Sequence, residues 1–165
     1  MKYLLLIALL PLSLISCSIR EIDASQLEQR YTVYYAVNED KPYSGKSTYF
    51  YPNGQLAMEA FFTDGVLDGV RRTWHEDGQL LSEMNFANGD MDGLARTWFE
   101  NGQLTREIPY VDGKINGLDR MWYENGQLRK ETHYVNDARD GVARKWDENG
   151  KLTQEKSYVN GKLVN

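Results

Sequence analysis

From Gly45 onward, apolar and polar residues alternate in short runs separated by turn-forming residues. LARTWF, Leu94 to Phe99, is typical: Leu94, Arg96 and Trp98 fall on one face of a strand, and Ala95, Thr97 and Phe99 on the other. Glu100-Asn101-Gly102-Gln103 follows. An Asn-Gly pair between alternating runs predicts a tight hairpin turn with positive φ at both central residues. The return run, Leu104 to Tyr110, sets Leu104, Ile108 and Tyr110 on one face, and Asp112-Gly113 turns the chain again. Glycines interrupt each such unit, which disfavours helix.

The pattern repeats every 24 residues, giving five gapless rows from Gly45. All 14 glycines fall in three columns, exemplified by Gly93, Gly102 and Gly113, and Asp137 is the one exception in the third. Phe50, Trp74, Trp98, Trp122 and Trp146 form an aromatic column. Leu56, Leu80, Leu104, Leu128 and Leu152 form another, Glu59, Glu83, Glu107, Glu131 and Glu155 a third, and Phe62, Phe86, Tyr110, Tyr134 and Tyr158 a fourth. Each row holds two strands and two turns. The expected fold is therefore all-β, an elongated antiparallel meander or open solenoid of five stacked β-hairpin repeats. At about 4.8 Å between strands, a row adds roughly 10 Å and five rows about 50 Å.

Upstream, Tyr31 to Ser44 reads as a degenerate half-repeat that supplies a starting strand and cap. SIREIDASQLEQR before it is polar and reads as a tether, with a short amphipathic helix around Ala24 to Arg30 as an option. At the other end, Leu152 to Tyr158 is expected to be an edge strand kept polar by Gln154, Glu155 and Lys156.

The first residues follow another pattern. Lys2 is followed by an apolar run from Tyr3 to Ile15, too short for a spanning helix but suited to a secretory signal. Leu14-Ile15-Ser16-Cys17 resembles the bacterial lipobox. That resemblance implies cleavage before Cys17, acyl chains on its sulfur and, with Ser18 next, outer-membrane sorting in a Gram-negative envelope. The expected organisation is a lipoprotein signal peptide at 1–16, a lipidated cysteine and tether at 17–30, a capping half-repeat at 31–44 and five repeats at 45–165.

Composition narrows the chemistry. The net charge of −5 comes without a basic cluster, which argues against nucleic acid as a partner. Cys17 is the only cysteine and His75 and His133 the only histidines, so no metal site and no cofactor are expected. Asp90 to Gly93 has the start of a calcium loop but not its further ligands. Carboxylates recurring in five equivalent settings, with Arg72, Arg96, Arg120 and Arg144 in a companion column, point to cross-strand charge pairing and not to acid–base catalysis. No nucleophile or phosphate-loop motif is present, and an enzyme is not expected.

The unit G-x-x-x-x-W-x-E-N-G-Q-L-x-x-E-x-x-Y-x-x-G resembles the bacterial variant of the MORN repeat, as found in YwqK-type antitoxin components. The resemblance spans Gly45 to Asn165 and implies stacked β-hairpins that bind proteins or membranes, with toxin neutralisation as the role behind the antitoxin name. Two columns vary between rows: Tyr51, His75, Phe99, Tyr123 and Asp147 after the aromatic, and Tyr49, Thr73, Thr97, Met121 and Lys145 before it. Constant packing columns beside variable ones suit recognition of a partner, with Phe99, Tyr123 and Met121 as an apolar centre and His75 and Tyr51 beside them. The expectation is a lipid-anchored envelope scaffold for another protein, a toxin or an envelope component. The alternative is a cell-wall glycan-binding module, in which exposed aromatic rings stack on sugars.

Overall fold

The computed structural model describes residues 19–164. The expected signal peptide at 1–16 and Cys17 lie outside the described residues. Each repeat contributes an outgoing and a returning strand: β4 (Gly45–Phe50) and β5 (Leu56–Thr63), then β6 (Val66–Trp74) and β7 (Leu80–Ala87). The third row has the short β8 (Asp90–Met91), β9 (Gly93–Trp98) and β10 (Leu104–Val111). The fourth has β11 (Lys114–Ile115), β12 (Gly117–Trp122) and β13 (Leu128–Val135), and the fifth has β14 (Ala138–Trp146) and β15 (Leu152–Val159). Successive strands pair antiparallel in one open sheet, as the alternation predicts.

The register explains the columns. Phe50, Trp74, Trp98, Trp122 and Trp146 lie opposite Leu56, Leu80, Leu104, Leu128 and Leu152, with a register shift beside each pair. The aromatics Phe62, Phe86, Tyr110, Tyr134 and Tyr158 lie opposite Gly45, Gly69, Gly93, Gly117 and Gly141.

The turns depart from expectation. In Glu100-Asn101-Gly102-Gln103 only the glycine has positive φ, at 79°. The Gly102 N–H donates to the Phe99 carbonyl at 2.9 Å, and the Phe99 N–H to the Gln103 carbonyl at 2.8 Å. The Asn101 side chain accepts from the Gln103 N–H at 2.9 Å. This is a longer loop closing on a glycine bulge, and the bulge causes the register shift. The two-residue turns with positive φ at both positions are the inter-row ones, such as Asp64-Gly65 at 48° and 80°. Asn136-Asp137 keeps that conformation without a glycine, at 48° and 67°, and the Asp137 carboxylate accepts from the Ile115 N–H at 2.8 Å.

The amino-terminal part is also more structured than a tether. β1 (Glu21–Asp23) pairs in parallel with β4, and a single 3-10 turn (Ala24–Gln26) replaces the optional helix. β2 (Leu27–Arg30) then pairs with β3 (Val33–Ala36) as a separate hairpin. The starting strand is thus β1, and the half-repeat at 31–44 supplies only part of the cap. Ala36, Tyr43, Ala60 and Phe62 form a core cluster here, with Ile22, Leu27, Tyr34 and Leu67 packed against it. The Tyr43 hydroxyl donates to the Lys46 carbonyl at 2.7 Å. Farther along the sheet most apolar side chains are only half-buried, as a single layer requires. At the far end β16 (Lys162–Leu163) pairs with Tyr158 and Val159, so the expected edge strand β15 is partly covered.

Candidate functional site

On one face the glutamate and arginine columns interleave. Glu59, Arg72, Glu83, Arg96, Glu107, Arg120, Glu131, Arg144 and Glu155 are successive cross-strand neighbours. Arg72 lies 3.0 Å from Glu59 and 2.8 Å from Glu83, and the Arg96–Glu107 and Arg120–Glu131 pairs also stand at 2.8 Å. Hydrogen bonds donated to Glu83 and Glu59 raise the Arg72 pKa above its ordinary value. Every Glu in the column is bound to an Arg. Part-buried cross-strand pairs of this kind contribute about 0.2–1 kcal/mol each.

Among the described residues the ladder has one gap, between Glu107 and Arg120. The opposite face carries another ion pair at the same boundary. Arg106 donates from Nε and Nη2 to the two carboxylate oxygens of Asp119, at 2.9 and 3.0 Å. Asp119 is 1 % exposed, and its hydrogen bonds raise the Arg106 pKa. Sequence reasoning missed this pair, although both members break their columns. Met58, Ser82, Lys130 and Gln154 stand at the positions equivalent to Arg106, and Ser47, Arg71, Ala95 and Ala143 at those equivalent to Asp119.

The bulged turns form one edge of the sheet and are tied row to row. Asn53, Asn101 and Asn125 donate side-chain hydrogen bonds to the carbonyls of Glu76, Glu124 and Glu148. Tyr51 and Tyr123 donate hydroxyl hydrogen bonds to the carbonyls of Trp74 and Trp146, at 2.8 and 2.9 Å. Two of the candidate partner-binding residues therefore also have a structural duty. His75 stands in the same column, and its Nε2 is buried with no hydrogen-bond partner.

Phe99 and Tyr123 border one open cleft of about 370 Å3 together with Trp122, Glu124 and Arg129. Met121 lines a second cleft of about 300 Å3 with Tyr123, Lys130 and Lys145. It lies directly between Arg106 and Lys130 on neighbouring strands. Of the expected patch, Tyr123 lines both of these clefts, Phe99 the first and Met121 the second. Tyr51 and His75 lie in the earlier rows of the same edge. Cys17, the expected lipidation site, lies outside the described residues. Among the described residues no group of His, Cys, Asp and Glu is arranged to hold a metal ion.

An open sheet of stacked hairpins, with its charges paired along the strands and its variable residues at the turn edge, defines a β-repeat protein of the binding or interaction type. The chain belongs to the MORN repeat variant family, whose pattern matches it five times, at residues 43–64, 67–88, 91–112, 116–136 and 139–160. No curated protein matches it.

Proposed function

We propose that this chain is a non-catalytic interaction scaffold of the bacterial envelope, held to the membrane by lipid on Cys17 and binding another protein through its turn edge. The observation that carries the binding role is the contrast between columns. The Trp, Leu, Glu and Gly positions recur because the sheet needs them, while the turn-edge position changes from Tyr51 to His75, Phe99, Tyr123 and Asp147. The pairing of each column glutamate with an arginine supports a non-enzymatic reading. The anchor rests on the lipobox-like Leu14 to Cys17. Two acyl chains suffice for stable attachment. A toxin is one partner consistent with the family resemblance, which would make the protein immunity-like.

Fractionation of cells expressing the full chain tests the anchor. Cys17→Ala should move the protein out of the membrane fraction, and unchanged retention would exclude the lipid. Affinity purification of the anchored chain tests the partner class. A stoichiometric protein that rebinds after purification supports the scaffold. Retention on purified peptidoglycan instead, lost on substitution of exposed aromatics, would favour a glycan-binding module.

A further inference from the structure

The turn-edge pattern breaks twice among the described residues: at His75, whose Nε2 has no partner, and again between the third and fourth rows. Tyr51 and Tyr123 each supply a hydroxyl to the tryptophan carbonyl of the following row. Phe99 occupies their column without a hydroxyl, so the Trp122 carbonyl lacks the donor that Trp74 and Trp146 receive. The flanking residue changes too. Arg129 sits with its guanidinium 5.5 Å from the centroid of the Tyr123 ring. The residue one repeat earlier, beside Phe99, is Thr105, which is short and uncharged. Phe99 thus has neither the hydroxyl nor the covering cation of its equivalent one row on. The cleft of about 370 Å3 opens at this place, and Glu124 and Glu148 line it against the lone cation Arg129.

We infer that this cleft receives a basic side chain, a guanidinium or ammonium, presented by the protein partner. The inference rests on the scaffold reading and names the chemistry that the partner brings. Within the cleft the aromatic rings take the apolar stem and the face of the cation, as Tyr123 already takes Arg129. The N–H donors of the cation reach the Trp122 carbonyl, and Glu124 and Glu148 supply its counter-charge. The neighbouring cleft has the opposite character. Arg129, Lys130 and Lys145 line it without a carboxylate, so a basic group is repelled there and steered to the Phe99 side. A net charge of −5 on the whole chain acts in the same direction.

The test is an NMR titration of the isotope-labelled chain with three probes: Nα-acetyl-arginine amide, Nα-acetyl-norleucine amide and a trimer of N-acetylglucosamine. The arginine probe should shift the Trp122 indole and Phe99 resonances, and the norleucine probe should leave them unchanged. Phe99→Tyr restores the missing hydroxyl and should weaken the arginine probe about threefold to tenfold, as should Glu124→Gln combined with Glu148→Gln. Unshifted backbone resonances of Arg72 and Arg96 in each variant verify the fold. Shifts caused by the sugar trimer and not by the arginine probe would overturn the inference in favour of glycan. Absence of any shift would overturn it outright. The scaffold reading fails separately. If the arginine probe binds but no protein co-purifies with the anchored chain, the scaffold falls and the cleft chemistry stands. If a partner binds the glutamine variants and wild type equally, the cleft falls and the scaffold stands.

Discussion

Asp119 is the side chain whose placement depends most on a single neighbour. It is buried in a column that elsewhere holds Ser47, Arg71, Ala95 and Ala143, and only the paired donors of Arg106 offset its desolvation. Arg106→Met should therefore leave a buried carboxylate without its ion pair. The expected cost is about 2–3 kcal/mol, below that of a fully buried pair because Arg106 keeps contact with solvent. Adding Asp119→Ala, the residue at the equivalent positions 95 and 143, should recover most of the loss in a denaturant double-mutant cycle. Tyr43 offers a second residue-scale test. Desolvation raises its phenol pKa above the ordinary tyrosine value. A raised folded-state pKa gives stability that is complete below the unfolded value and lost as pH rises through the folded one. The cap should therefore weaken only under alkaline conditions, and a spectrophotometric phenol titration should find one tyrosine ionising late. Tyr43→Phe should remove that late step.

The elements are held at both turn edges, and their glycines differ in what surrounds them. Gly65 and Gly161 share a φ of about 80°, so an alanine at either is strained. A Cβ at Gly161 would meet nothing, whereas at Gly65 it would collide with the Val33 side chain and the Tyr34 carbonyl. Gly65 also bonds the cap from both sides, accepting from the Tyr34 N–H and donating to the Tyr43 carbonyl, each at 2.8 Å. Gly65→Ala should thus lower the melting temperature clearly more than Gly161→Ala, and equal losses would mean that the cap contributes little. The strands, rows and cross-strand columns are legible in the sequence because a period of 24 residues multiplies each weak local signal fivefold. The turn type is not, because Asn-Gly suits both a two-residue turn and a glycine bulge, and loop length decides between them. Glu21 to Arg30 looks like a tether because its pairing partners, β4 and β3, come later in the chain and leave no local pattern. Phe99 begins a turn while Met121 is still within a strand, so the two line different clefts, a difference the column pattern does not reveal.

At the scale of the whole molecule, the repeats form one open sheet with two faces and little enclosed core, a surface suited to contact. Its stability is spread over nearest-neighbour rows, so the sites that depart from the repeat carry its individuality. Four of those departures lie in the third and fourth rows: Arg106, Asp119 and Met121 on the facing strands β10 and β12, and Phe99 at the turn before β10. The central claim is that the boundary between these rows engages a protein partner. Site-specific photo-cross-linking in intact cells tests it most directly, with a benzoyl-phenylalanine at position 99 compared with one at the exposed position 49 in the first row. The account predicts one discrete protein adduct from position 99, absent from position 49. Equal adducts from both positions, or none from position 99 while the chain remains folded, would contradict it.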